Sequence, residues 1–130
     1  MRLANNNIFK NLDKKIYIAN KIGVEYDDYN NEIVIYDTPF YLGKFNYQPL
    51  SGDDLQAYIS AYGETKNKLI RLFIDVRYIE KIKEFDVAYL YNVNPNSELK
   101  NGSNANYVIR TVAEQNTVAM VIFEEIIKER

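Results

Sequence analysis

The chain contains no cysteine, no histidine and no tryptophan. Without cysteine there are no disulfides, thiolate nucleophiles or zinc–sulfur sites, and the redox compartment cannot be read. Without histidine the usual general base near neutral pH and the commonest metal ligand are missing. The 5 glycines are scattered at 23, 43, 52, 63 and 102, so neither a dinucleotide-binding nor a P-loop spacing occurs. Both signs of charge are spread along the chain: 16 Lys and Arg stand against 18 Asp and Glu, and no basic block offers a grip on phosphates. The longest apolar run, residues 118–123, falls far short of a bilayer span. Residues 1–7 are polar and Asn-rich, and read as an irregular arm rather than a signal peptide. The expectation is a soluble protein inside a cell, or a part of a larger particle, with no membrane association.

What is present is β-rich. A length of 130 residues suggests one domain, and 47% apolar with 14% aromatic content suggests a globular one. The aromatics are 12 Tyr and 6 Phe. Tyrosine suits positions with one wet edge, as in a thin barrel or an interface, although sheet propensity alone would also favour it.

Along the chain, residues 15–19 (K-I-Y-I-A) alternate as a strand. Residues 22–26 and 32–37 flank Asp27-Asp28-Tyr29-Asn30-Asn31 and read as a hairpin, because Asp and Asn bond their own backbone and tolerate left-handed geometry. Thr38-Pro39 ends that pair, and residues 40–45 form a further short strand with Gly43 as a bulge position. Residues 46–50 are irregular around Pro49. The period then changes: Leu55, Tyr58, Ile59 and Tyr62 line one helix face. Ser51 with Asp54 gives a capping-box-like spacing, and Gly63 sits where a left-handed C-cap is wanted. This predicts a helix over 53–62. Residues 69–78 alternate, with Ile70, Leu72, Ile74 and Val76 on a buried face and Arg71, Phe73, Asp75 and Arg77 opposite. Residues 86–91, 107–112 and 117–126 are strands, the last two meeting across Glu114-Gln115-Asn116. Between the first two lies a polar loop, residues 92–106, long enough to suggest a functional or mobile segment. The fold class expected is mainly β: a small antiparallel β-barrel, or sandwich, with one short helix and long loops.

The search for chemistry returns little. No serine has a histidine to activate it. The carboxylate pairs Asp27-Asp28, Asp53-Asp54 and Glu124-Glu125 are adjacent in sequence and are better explained as a turn, a helix first turn and a strand end. Asn101-Gly102-Ser103 matches the glycosylation sequon but reads as a plain turn. Arg71, Phe73 and Arg77 give a fragment of a basic–aromatic strand surface for single-stranded nucleic acid, with Asp75 among them. No enzyme, cofactor or metal is expected from these residues.

Three segments carry a resemblance. Residues 46–63 (N-Y-Q-P-L-S-G-D-D-L-Q-A-Y-I-S-A-Y-G) resemble the central segment of small head-completion proteins of tailed bacteriophages: an aromatic-Pro opening, a Ser/Gly/Asp cluster, an aromatic-Gly close. Residues 85–91 resemble their late strand, with Phe85 in place of the Gly that often precedes the Asp. Residues 101–112 with 116–126 are similar to their closing hairpin. The resemblance implies a small β-barrel assembled as a homo-oligomeric ring in the phage neck. Such a stopper subunit, made in the host cytoplasm, lies between portal or adaptor proteins and the tail or tail terminator, and retains packaged DNA without binding it specifically. On that reading residues 46–63 project toward the ring channel, with Tyr47, Asp53, Asp54, Leu55, Tyr58, Ile59 and Tyr62 as contact residues. The loop 92–106 faces a partner through Asn96, Glu98, Lys100, Asn101 and Asn104. The alternatives are a tail terminator or adaptor of the same connector, and a small barrel that binds single-stranded nucleic acid.

Overall fold

A computed structural model describes residues 14–127. The expected arm at 1–7 lies outside the described residues. The chain is mainly β, 46% strand and 15% helix, built on a curled antiparallel half-barrel sheet with one short helix.

In chain order the elements are β1 (Lys14–Ala19), β2 (Lys21–Tyr26), β3 (Glu32–Tyr36), β4 (Phe40–Phe45), β5 (Tyr47–Pro49), α1 (Gly52–Tyr62), β6 (Leu69–Asp75), a 3-10 helix (Val76–Lys81), β7 (Val87–Tyr89), β8 (Tyr107–Gln115) and β9 (Val118–Glu125). Among the described residues seven strands form one sheet in the order β4-β1-β7-β8-β9-β6-β5, and β2 and β3 pair only with each other. The outermost strands, β4 and β5, are consecutive in the chain and joined by the single residue Asn46.

Alternation decides the faces. Ile16 and Ile18 of β1, Ile70, Leu72 and Ile74 of β6, Ile109 of β8, and Ala119, Val121 and Phe123 of β9 point to the concave side and form the main core. Tyr78 and Ile79 of the 3-10 helix, with Ile82 after it, pack against this core, and Phe45 meets Tyr78 edge-on at 5.3 Å. The convex side is covered in two places. Helix α1 lies over β6 and β9, where Tyr58 packs with Leu50, Leu69 and Ile122. The loop 92–106 lies over the β1–β7 side, where Ala105 packs with Ala19, Val87 and Tyr89.

Several boundaries differ from the sequence expectation. The strand predicted over 69–78 stops at Asp75, because the Asp75 carboxylate accepts the Arg77 N–H and starts the 3-10 helix. Val76 therefore leaves the alternating face and is only half-buried. Residues 47–49, predicted irregular, form an edge strand on β6, which tolerates Pro49 because an edge residue needs no donor on its outer side. The β8–β9 turn is Asn116-Thr117, with Gln115 paired to Val118 and Asn116 at φ 58°, so Glu114 and Gln115 belong to the strand. The capping box does not form: Ser51 makes no side-chain cap, and the Asp54 carboxylate pairs with Arg71 at 2.9 Å instead of returning to the Ser51 N–H. Gly63 has the expected positive φ of 88° and its N–H bonds to the Ile59 carbonyl, but its extended ψ carries the chain directly off the helix. The bulge at Gly43 is present, where the β1–β4 register shifts between Ile16 and Tyr17.

Candidate functional site

The two excursions predicted to reach outward are largely folded onto the sheet. Tyr47 is 1% exposed, and its hydroxyl accepts the Tyr91 N–H at 2.7 Å. It is a core residue and not a channel contact: strand pairing opposite Leu72 turns its ring into the barrel. Tyr58 is buried too, and its hydroxyl donates to Glu124 at 3.3 Å. Leu55 packs half-buried beside it and Ile59 is half-buried. Asp54 is held by Arg71, which leaves Asp53 and Tyr62 as the exposed members of the predicted set. The apolar face of α1 therefore serves its own sheet.

Glu124 organises the far side of this helix. Its carboxylate accepts from Arg110 Nε at 2.8 Å, Asn67 Nδ2 at 2.7 Å, Thr65 Oγ1 at 3.3 Å and Tyr58 Oη. Burial alone would raise the carboxyl, but the bonds from Asn67 and Arg110 and the Arg110 charge outweigh it and hold Glu124 below the ordinary carboxylate value. Arg110 reaches it because a bulge between Ile109 and Thr111 adds a residue to β8. This network is structural: every carboxylate oxygen is occupied by a neighbour.

The loop 92–106 is similarly closed. Glu98, predicted to face a partner, turns inward, because the Tyr89 hydroxyl and the backbone N–H groups of Gly102 and Asn104 converge on its carboxylate. Asn106 imitates a strand, with its side chain accepting from Leu90 N and donating to Leu90 O. Asn104 is half-buried and donates to the Asn96 carbonyl, and Asn101 donates to the Tyr36 carbonyl. Asn96, Lys100 and Asn101 remain exposed, with Leu99 fully so.

What does project is the β2–β3 hairpin, which sequence reasoning placed but did not single out. Its turn is built as expected: Asp27 Oδ1 accepts from the N–H groups of Tyr29 and Asn31, and Asn30 takes φ 68°. Its root is fixed by Asp86, which is 1% exposed. Asp86 Oδ1 accepts the Lys21 N–H at 2.8 Å, and Oδ2 accepts Asn20 Nδ2 at 2.7 Å and the Lys83 N–H at 2.8 Å. On the other strand the Tyr36 ring is packed against Gly102 and the cluster beneath the loop. Beyond this rigid root, Ile22 at 61%, Tyr26 at 62% and Tyr29 at 86% exposure stand in solvent with Val24. A two-stranded ribbon is marginal by itself, and apolar side chains exposed together mark contact surfaces.

Among the described residues no group of three or more Asp and Glu side chains is placed to hold a metal ion, and no helix is long and apolar enough to cross a membrane. Comparison with known proteins finds no matching family model, no matching curated protein and no matching solved structure.

Proposed function

We propose that this chain is a structural subunit of a tailed-bacteriophage neck, a head-closure or stopper protein that forms a homo-oligomeric ring between the portal or adaptor proteins and the tail. The observation that carries the reading is the projecting β2–β3 arm, with Ile22, Val24, Tyr26 and Tyr29 in water on a root locked by Asp86. A rigid apolar arm has a use in an assembly and is a liability outside one. The resemblance of residues 46–63, 85–91 and 101–112 with 116–126 to head-completion proteins supplies the particular assembly. The expected setting is the virion, with DNA passing through the ring without specific binding. Asp53 and Tyr62, on the outward side of α1, are the residues of the 46–63 segment left to meet the channel or a neighbour.

The test is the mass and electron-microscopic appearance of the purified protein, alone and mixed with a portal complex. Rings that dock on the portal support the reading. A protein that stays monomeric and does not associate with the portal, in a host where particles lacking it still retain DNA, overturns it.

A further inference from the structure

The arm and one edge of the main sheet are complementary, and among the described residues neither is satisfied within one copy. Residues 21–37 hold Glu25, Asp27, Asp28, Glu32 and Asp37 against a single basic residue, Lys21. At the free edge of the seven-stranded sheet the sign reverses. Lys15 of β1 and Lys44 of β4 stand directly opposite each other, both exposed. Like charges in that position repel across a strand pair, and among the described residues neither forms an ion pair, the two salt bridges lying elsewhere. Two residues along β1 and, across the bulge, three along β4, Tyr17 and Tyr41 pair their rings at 5.3 Å, with Tyr41 exposed. Among the described residues the outer side of β4 has no strand partner, and β2 and β3 each have one free side. Unpaired edges of this kind accept an added strand.

The two surfaces cannot meet within one copy. The arm leaves the β1–β4 pair at the end where Ile18 faces Phe40, whereas Lys15 and Lys44 sit at the other end, beside Lys14 and Phe45. The arm root is pinned by Asp86 and by the packing of Tyr36 on Gly102, so it cannot fold back. We propose that the arm of one copy docks on the Lys15–Lys44 edge of the next, an arm strand lying along the free side of β4 and the acidic arm neutralising the lysine pair. The contact joins two different patches, so repetition yields a head-to-tail series that becomes a ring if the rotation closes. This names the contact the proposed ring would use and rests on that reading.

The absence of cysteine makes the test direct. Glu25→Cys and Lys44→Cys chains are prepared singly and together and treated with a short bismaleimide crosslinker. The double variant should give a ladder of dimers, trimers and higher species. The two single variants mixed should stop at dimers, and each alone should give none. In parallel, Lys15→Glu with Lys44→Glu, or Glu25→Lys with Glu32→Lys, should weaken self-association about tenfold or more, and mixing the two reversed chains should restore it. Self-crosslinking of Glu25→Cys alone would show arm-to-arm pairing and overturn the proposal. Closed rings without the ladder would overturn it while leaving the ring reading intact. No assembly, alone or on a portal complex, would remove both. Salt-sensitive binding of an oligo-dT strand that is lost in Lys15→Glu/Lys44→Glu, without self-association, would reassign the lysine pair to single-stranded nucleic acid.

Discussion

The Tyr89 hydroxyl lies 3.0 and 2.9 Å from the two carboxylate oxygens of Glu98, nine residues further along the chain. That contact, shared with the N–H groups of Gly102 and Asn104, converts a long polar loop into a fixed cover for the convex side of the sheet. Burial first, and then the Glu98 carboxylate, push the Tyr89 phenol well above its ordinary pKa, so it stays a donor throughout the usable pH range. Glu98→Ala removes the acceptor of the buried Tyr89 hydroxyl and of the Asn104 N–H, while the Gly102 N–H keeps the Tyr89 oxygen, and should cost about 2 kcal/mol. Limited proteolysis should then cut within residues 92–106, whereas the parent chain resists there. Equal cleavage of both chains would show that the staple does not hold the loop.

Asp86 should control the arm without belonging to it. Asp86→Ala strands the N–H groups of Lys21 and Lys83 and leaves the Asn20 amide only its bond to the Lys81 carbonyl, a loss of about 3 kcal/mol. Amide exchange in β2 and β3 should rise more than in β6 and β9. Uniform loss of protection would mean that Asp86 supports the whole fold rather than the arm root.

Acid should weaken the chain through Glu124. Its folded-state pKa lies below the ordinary value of 4.5, so the ionised form favours the fold. The stabilisation is complete above that value and fades as pH falls through the lower folded value. Glu124→Gln should flatten thermal melts across this window, and Asn67→Ala should move the loss to higher pH. Arg110→Ala should do less, since the Arg110 side chain is 40% exposed and partly screened by solvent. A parent and a Glu124→Gln chain with the same acid dependence would count against the network.

Gly102 is predicted to tolerate no side chain. Its φ is +87°, and a Cβ there would lie 2.7 Å from Tyr36 Cδ2. Gly102→Ala should destabilise by about 1–3 kcal/mol. Adding Tyr36→Ala should recover the steric part and leave the backbone part, so the two changes should be non-additive in thermal unfolding. Simple additivity would contradict the close approach of loop and arm.

The parts of this fold that could be read from the chain are those in which one residue type has one local consequence. Ile70, Leu72 and Ile74 alternate, and the strand follows; Asp27 and Asn30 form their turn by bonding their own backbone. Leu55 and Tyr58 lie one helical turn apart, and the helix follows. What was hidden depends on partners distant in sequence. Glu98 reads as a solvated loop acid until Tyr89 is seen beneath it, and Tyr47 reads as irregular until Leu72 is opposite it. Asp54 looks like a cap until Arg71, 17 residues on, claims it. The hairpin itself was legible and its exposure was not: Ile22, Val24 and Tyr26 carry the composition of a buried strand, and nothing local says that their cover is missing.

The link through Asn46 sets the shape of the whole sheet. Laid flat at ordinary strand spacing, β4 and β5 would be about 29 Å apart, yet one intervening residue lets their adjoining ends separate by only about 7 Å. The curl is thus imposed by the covalent chain before any side chain packs, and the core residues occupy a cavity whose radius is already limited. A permuted chain opened at Asn46, with the two ends of this sequence joined by a flexible linker, would keep every side chain and lose that tether. Its sheet would be free to splay, and the concave core, not either outer cover, would be the first part to admit water.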